Sequence, residues 1–235
     1  MATASLSGRR FDEATRSKAA HHVDCSHTRS ARLGIVSESK VRQIGIVLFA
    51  DVEELDAVGP WEVLSFWCRT YPEDGWAVTT LSASGGPVVC AKGLVIQAEH
   101  SFADCPELDV LIHPGGRGTR PQLTDQAHLE WVRGQRQQVP IMASVCTGSL
   151  VFAAAGLLSG RPATTHWASL ERLRDLDPTI EVRPDERFVD DGDVVTSAGI
   201  SAGIDMALHL VHRLAGIERA RQVRRGIQYD PAPPV

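Results

Sequence analysis

Ile141-Met-Ala-Ser-Val-Cys-Thr-Gly-Ser-Leu150 runs apolar and small residues straight into a cysteine, and Thr-Gly-Ser then opens an apolar helical stretch. A buried strand ending at Cys146 and passing at once into a helix demands a layered α/β fold. Such a sharp turn lifts the thiol above the sheet and aims the first free N–H groups of the helix at whatever the sulfur attacks. The positive end of the helix dipole favours thiolate and draws a cysteine pKa down from about 8.5. This setting places Cys146 as a nucleophile; the alternative is a buried cysteine acting as a small hydrophobe.

The flanking pattern alternates strand and helix. A continuous apolar run at residues 44–50 predicts a strand buried on both faces, and the segments 76–82, 88–91, 94–97, 108–113, 163–165 and 180–182 are read as further strands, those at 88–91 and 94–97 forming a hairpin. Residues 187–190 and 194–197 bracket Asp191-Gly192, a second hairpin signal. Helices are expected near residues 60–69, with Pro60 in the first turn, after a cap at Thr124, and at 169–175, 201–214 and 218–225. Trp61, Trp67 and Trp131 have helical spacing and read as core. Strands separated by helices imply a mostly parallel sheet covered on both faces, with sites at the carboxyl ends of its strands. Asp56, Gly115-Gly116 and Cys146 all fall at such ends.

Each has a chemical use there. Gly115 and Gly116 let a backbone amide approach a substrate and, with the Thr147 N–H, form an anion-stabilising hole; a simple tight turn is the other reading. Asp56, just before the expected helix, is either a carboxylate on the helix dipole or an acid/base group. His166 follows a strand and is either the base of a Cys-His pair or a structural histidine. Gly199 and Gly203, in a repeated Ser-Ala-Gly-Ile, predict close packing of a helix N-terminus near the site.

Bulk properties narrow the function classes. A chain of 235 residues, 43% hydrophobic, can bury one large α/β core. The net charge of −5 with mixed signs gives no basic surface for nucleic acid, and no apolar run is long enough to span a membrane. Five cysteines without metal-ligand spacing point to a reducing, cytoplasmic setting and against a structural zinc site. Residues 1–40 lack an apolar period and are expected to form a flexible tail ahead of a single domain at 41–235; His21, His22, His27 and Cys25 in that tail are read as solvated rather than metal-binding.

Leu55-Asp-Ala-Val-Gly-Pro-Trp-Glu62, His113-Pro-Gly-Gly116, Ser144-Val-Cys-Thr-Gly-Ser149, Ala163-Thr-Thr-His-Trp167 and Thr196-Ser-Ala-Gly-Ile-Ser-Ala-Gly-Ile-Asp205 together resemble the ThiJ/PfpI superfamily, and within it the isocyanide hydratase branch. That resemblance implies a flavodoxin-like three-layer α/β sandwich with a nucleophile elbow, usually a homodimer. Many relatives carry histidine directly after the cysteine, but here the position is Thr147, which argues against the protease-like members. The implied activity is hydration of an isocyanide to an N-substituted formamide through a thioimidate on Cys146. Asp56 would carry protons, Thr147 would hold Asp56 or the intermediate, the Gly115-Gly116 backbone and His166 would line the pocket, and no metal or organic cofactor would take part. Glyoxalase-like hydration of a 2-oxoaldehyde, a ligand-sensing domain of the AraC-regulator type and a cysteine redox sensor are the other readings.

Overall fold

Cys146, Asp56 and the Gly115-Gly116 turn lie together at the carboxyl ends of the central strands of a seven-stranded sheet. The computed structural model describes residues 40–230. The expected tail and its histidines lie almost wholly outside them. The strands are β1 (Arg42–Val47), β2 (Trp76–Ser82), β3 (Gly86–Val89), β4 (Val95–Ala98), β5 (His100–Ser101), β6 (Val110–His113), β7 (Ile141–Val145), β8 (Pro162–Ala163), β9 (Glu181–Val182), β10 (Phe188–Asp190) and β11 (Val194–Ser197). The helices are α1 (Glu54–Thr70), α2 (Thr119–Gln122), α3 (Gln126–Arg136), α4 (Gly148–Ala154), α5 (Leu170–Leu176), α6 (Ala202–Ala215) and α7 (Ile217–Gly226). The main sheet runs β10-β11-β7-β6-β1-β2-β5, parallel except for β10, which leads into the Asp191-Gly192 hairpin and pairs antiparallel with β11.

Its central strands are buried on both faces, so their side chains divide between two cores. Ile44, Ile46, Val110, Ile112, Ala143, Val145 and Val195 pack with Val63, Leu64 and Trp67 of α1 and Met206, Leu210 and Val211 of α6. Leu111, Met142 and Val194 point the other way, against Leu129 and Val132 of α3, Val151 and Phe152 of α4 and Leu173 of α5. The result is the expected flavodoxin-like three-layer α/β sandwich. β1 pairs with β2 on one side and β6 on the other, so the chain reverses its direction of travel across the sheet there and a crevice opens at the carboxyl ends.

Several local expectations are corrected. α1 begins at Glu54, so Pro60 sits inside the helix and Asp56 lies in its first turn rather than ahead of it. The early start has no capping signal, because Glu53 at the N-cap makes no side-chain cap bond. Asp125, not Thr124, caps α3, accepting the N–H groups of Ala127 and His128 at 3.1 and 3.3 Å. The short α2 was not expected at all. Of the three tryptophans only Trp67 is fully buried; Trp61 and Trp131 are partly covered.

Candidate active site

The backbone at Cys146 is left-handed, with φ +55°, a conformation that costs a non-glycine residue roughly 1–3 kcal/mol and persists only where its surroundings hold it. Here the Cys146 N–H is shared between the carbonyls of Ser197 and Ala198 at 3.1 and 3.2 Å. Its own carbonyl accepts the Thr165 hydroxyl at 2.9 Å and the Ser149 hydroxyl at 3.1 Å. Two residues on, glycine is required: a Cβ at Gly148 would lie 2.2 Å from the His113 carbonyl oxygen. The elbow therefore presses against the end of β6, and Thr147, next to the cysteine, meets the Pro-Gly-Gly turn.

Asp56 meets it from α1. Its carboxyl group is wholly buried; Oδ2 accepts the Gly115 N–H at 3.0 Å, and Oδ1 has no hydrogen-bond partner of ordinary geometry. The Cys146 thiol interacts with the same carboxyl group. Loss of water raises the Asp56 pKa to about 7, against the opposing pull of the Gly115 N–H and the thiol. Burial also raises the Cys146 pKa, the Asp56 charge raises it further, and the N–H and hydroxyl of Thr147 act the other way. The expected depressed thiol pKa is thus overturned. α4 is only 7 residues long, and its dipole cannot outweigh desolvation beside a carboxylate. At rest the sulfur carries its proton, and the carboxyl group titrates near neutrality.

The glycine amides are not free for an oxyanion. The Gly115 N–H is held by Asp56, and the Gly116 N–H donates to Thr147 Oγ1 at 2.9 Å. Thr147 Oγ1 also accepts the Thr119 hydroxyl at 3.1 Å, so the Thr147 hydroxyl ties the elbow to the glycine turn rather than to Asp56. Of the two expected roles of Thr147, holding Asp56 or holding the intermediate, the first is not what its hydroxyl does, and the two glycine amides of the expected hole are taken by protein acceptors. Gly115 itself admits no side chain, since a Cβ there would sit 2.5 Å from the Thr147 nitrogen and 2.8 Å from Asp56 Oδ2.

His166 is close to the sulfur but faces another task. A Cβ at Gly199 would lie 2.2 Å from His166 Cδ2 and 3.2 Å from Cys146 Sγ, so ring and sulfur flank the same glycine. His166 Nδ1 accepts the Ala168 N–H at 3.2 Å, capping a short turn of 3-10 helix. Sequence reading missed Thr165, which holds the elbow carbonyl, and His113, which is fully buried beneath the glycine turn. The Thr-Thr-His run contained the first; a polar residue closing an otherwise apolar β6 was the signal for the second. An apolar cavity of about 250 Å³ lies under α1 against Ala57, Val58 and Trp61, but its lining includes neither Cys146 nor Asp56, so the chemistry is not inside it.

A parallel α/β sandwich with a cysteine elbow facing a buried carboxylate defines a known class, and the chain belongs to it: residues 42–213 match the DJ-1/PfpI family. It is 42% identical over 193 residues to isonitrile hydratase of Pseudomonas putida, covering 82% of this chain and 80% of that protein. It is 34% identical over 147 residues to the HTH-type transcriptional regulator CdhR of Pseudomonas aeruginosa, covering 61% of this chain and 42% of the regulator. Among solved structures, a ThiJ/PfpI family protein from Pseudomonas syringae superposes with a TM-score of 0.73 at 29% identity, over 90% of this chain and 84% of that one.

Proposed function

We propose that this protein is a hydratase that converts isocyanides to N-substituted formamides, with Cys146 as nucleophile and Asp56 as proton carrier. The observation that carries the reading is the 42% identity to isonitrile hydratase over most of both chains. The site chemistry agrees with it. An isocyanide carbon takes up a nucleophile and a proton on the same atom, and a protonated thiol beside a carboxylate supplies both from one side.

The steps balance. Asp56 removes the thiol proton as sulfur bonds to the terminal carbon of R–N≡C, and returns that proton to the same carbon, giving the thioimidate R–N=CH–S. Water then adds to this carbon, with Asp56 taking its proton and passing it to nitrogen. The carbon–sulfur bond breaks as the hydroxyl proton leaves, R–NH–CHO departs, and the sulfur is reprotonated. The first addition puts no negative charge on oxygen, so the engaged amides of Gly115 and Gly116 cost it nothing. A 2-oxoaldehyde would develop an oxyanion on attack and would need such donors free, which favours the isocyanide reading. Thr147, Gly115 and Gly116 hold the reacting pair, and His166 borders the substrate's approach. The exposed Leu55, Val89, Leu94 and Val95 around the start of α1 and the β3–β4 hairpin support a homodimer.

A panel of alkyl and aryl isocyanides, with methylglyoxal alongside, tests the reading by NMR detection of formamide. Formamide formation with an adduct of substrate mass on Cys146 is expected. Absence of formamide from every isocyanide, or undiminished turnover in Cys146→Ala, would overturn it.

A further inference from the structure

The glycine turn that touches Asp56 is gripped from behind by two buried histidines. His113 closes β6 without any exposed surface, and His128 of α3 is 8% exposed. His113 Nδ1 lies 2.8 Å from the Pro114 carbonyl oxygen, and His113 Nε2 lies 3.0 Å from His128 Nε2. A carbonyl only accepts, so the proton of His113 is on Nδ1. Burial lowers its pKa to about 3, which keeps the ring neutral and leaves Nε2 as an acceptor. His128 must then donate from its own Nε2, and burial lowers its pKa too, with the Asp125 charge opposing.

The Pro114 carbonyl and the Gly115 N–H belong to one peptide group. A trans peptide points these two ends in opposite directions, so gripping the oxygen aims the N–H at Asp56 Oδ2, 3.0 Å away. We propose that His113 and His128 are positioning residues for catalysis: the chain His128 Nε2–H to His113, His113 Nδ1–H to Pro114, and Gly115 N–H to Asp56 orients and polarises the backbone hydrogen bond that stabilises the Asp56 carboxylate. Hydrogen bonds in series strengthen one another, so loss of an inner member weakens the last. The rings are fixed where they stand: His113 packs against Phe49 and Phe152 at ring distances of 5.3 and 6.0 Å, and His128 against Phe102 at 5.9 Å.

The link to turnover rests on the hydratase reading, so the primary readout does not use the reaction. Carboxyl ¹³C NMR of labelled aspartate follows the titration of Asp56 in wild type, His113→Leu, His113→Asn and His128→Leu. Leucine at 113 removes the donor to Pro114 and leucine at 128 the donor to His113, whereas the amide of asparagine at 113 stands where Nδ1–H stood. The midpoint should rise by about 0.5 pH unit or more in His113→Leu and by a smaller amount in His128→Leu and His113→Asn, which keep a donor on the Pro114 oxygen but lose the outer link between the two rings. With an active isocyanide, His113→Leu should then lose roughly two- to fivefold in rate at pH 7 and recover at pH 9, where the carboxyl group is ionised in either protein. Equal midpoints in wild type and both leucine variants would overturn the proposal, and if His113→Leu does not fold, a His128→Leu midpoint equal to that of wild type overturns it. Absence of isocyanide turnover in wild type would sink the hydratase reading alone and leave the NMR comparison intact.

Discussion

Asp56 and Cys146 interact inside the protein, the carboxyl group wholly buried and the cysteine 5% exposed, and burial, reinforced by the carboxylate charge, favours the protonated thiol. The pair is therefore one acid–base unit. A thiolate poised to attack is not its resting state, and this sets the outcome of several measurements.

Replacing the nucleophile separates fold from chemistry. Cys146→Ala removes one sulfur from a site held by its backbone bonds to Ser197, Ala198 and Thr165, so the melting temperature should stay within a few degrees while formamide production disappears. Residual turnover above about a hundredth of wild type, measured under saturating isocyanide, would mean that the sulfur forms no covalent intermediate.

Asp56→Asn should move turnover and thiol reactivity in opposite directions. The amide cannot carry the proton, so kcat should fall by roughly 10²–10⁴. Removing the negative charge relieves one cause of the raised thiol pKa, so iodoacetamide should alkylate Cys146 faster in the variant at pH 9. Peptide mapping after brief labelling reads the second effect, and slower labelling in the variant would contradict the electrostatic account.

The same substitution should change the pH dependence of stability. Burial raises the Asp56 pKa from 3.8 to about 7, so the native state keeps a proton that the unfolded chain sheds. Stability from this group is full below the unfolded pKa and declines as pH rises through about 7, by on the order of 4 kcal/mol if the whole shift is realised. Asp56→Asn escapes that decline. Its melting temperature should exceed that of wild type by more at pH 8 than at pH 5, and a constant difference across that range would refute the shift. Wild-type turnover should rise with pH through about 7, as the carboxylate form becomes available.

Two glycines should respond oppositely to alanine. Gly148→Ala drives a Cβ to 2.2 Å from the His113 oxygen and 2.8 Å from the Pro114 oxygen, atoms of backbone that cannot swing aside, and should cost at least about 1–3 kcal/mol together with most activity. Gly134 lies inside α3 with open space where a Cβ would go. Gly134→Ala should stabilise by about 0.5–1 kcal/mol without touching turnover. Chemical denaturation of both variants checks the pair.

Much of the scaffold was legible because it rests on local periodicity. Largely apolar segments such as 110–112 and 141–145 become strands buried on both faces, and Asp191-Gly192 makes its hairpin. Where a helix starts without a strong cap, as at Glu53, the boundary slipped by a turn or more, and with it the position of Asp56. Cys146 was legible as the elbow because a strand passing straight into a helix through Thr-Gly is a local pattern.

The amino-acid order alone thus determined the sheet, the elbow and the identity of the residues at its edge. Only the tertiary structure decided their proton affinities and partners. A helix dipole read from sequence predicts a low thiol pKa, but removal of water and the approach of Asp56 from a distant helix raise it instead. The glycine amides looked free until Thr147 and Asp56 were found to occupy them. His113 and His128, far apart in the chain's logic of strand and helix, meet only because β6 and α3 pack together. Solvation and hydrogen-bond competition depend on which segments meet in space, and no local pattern carries that information.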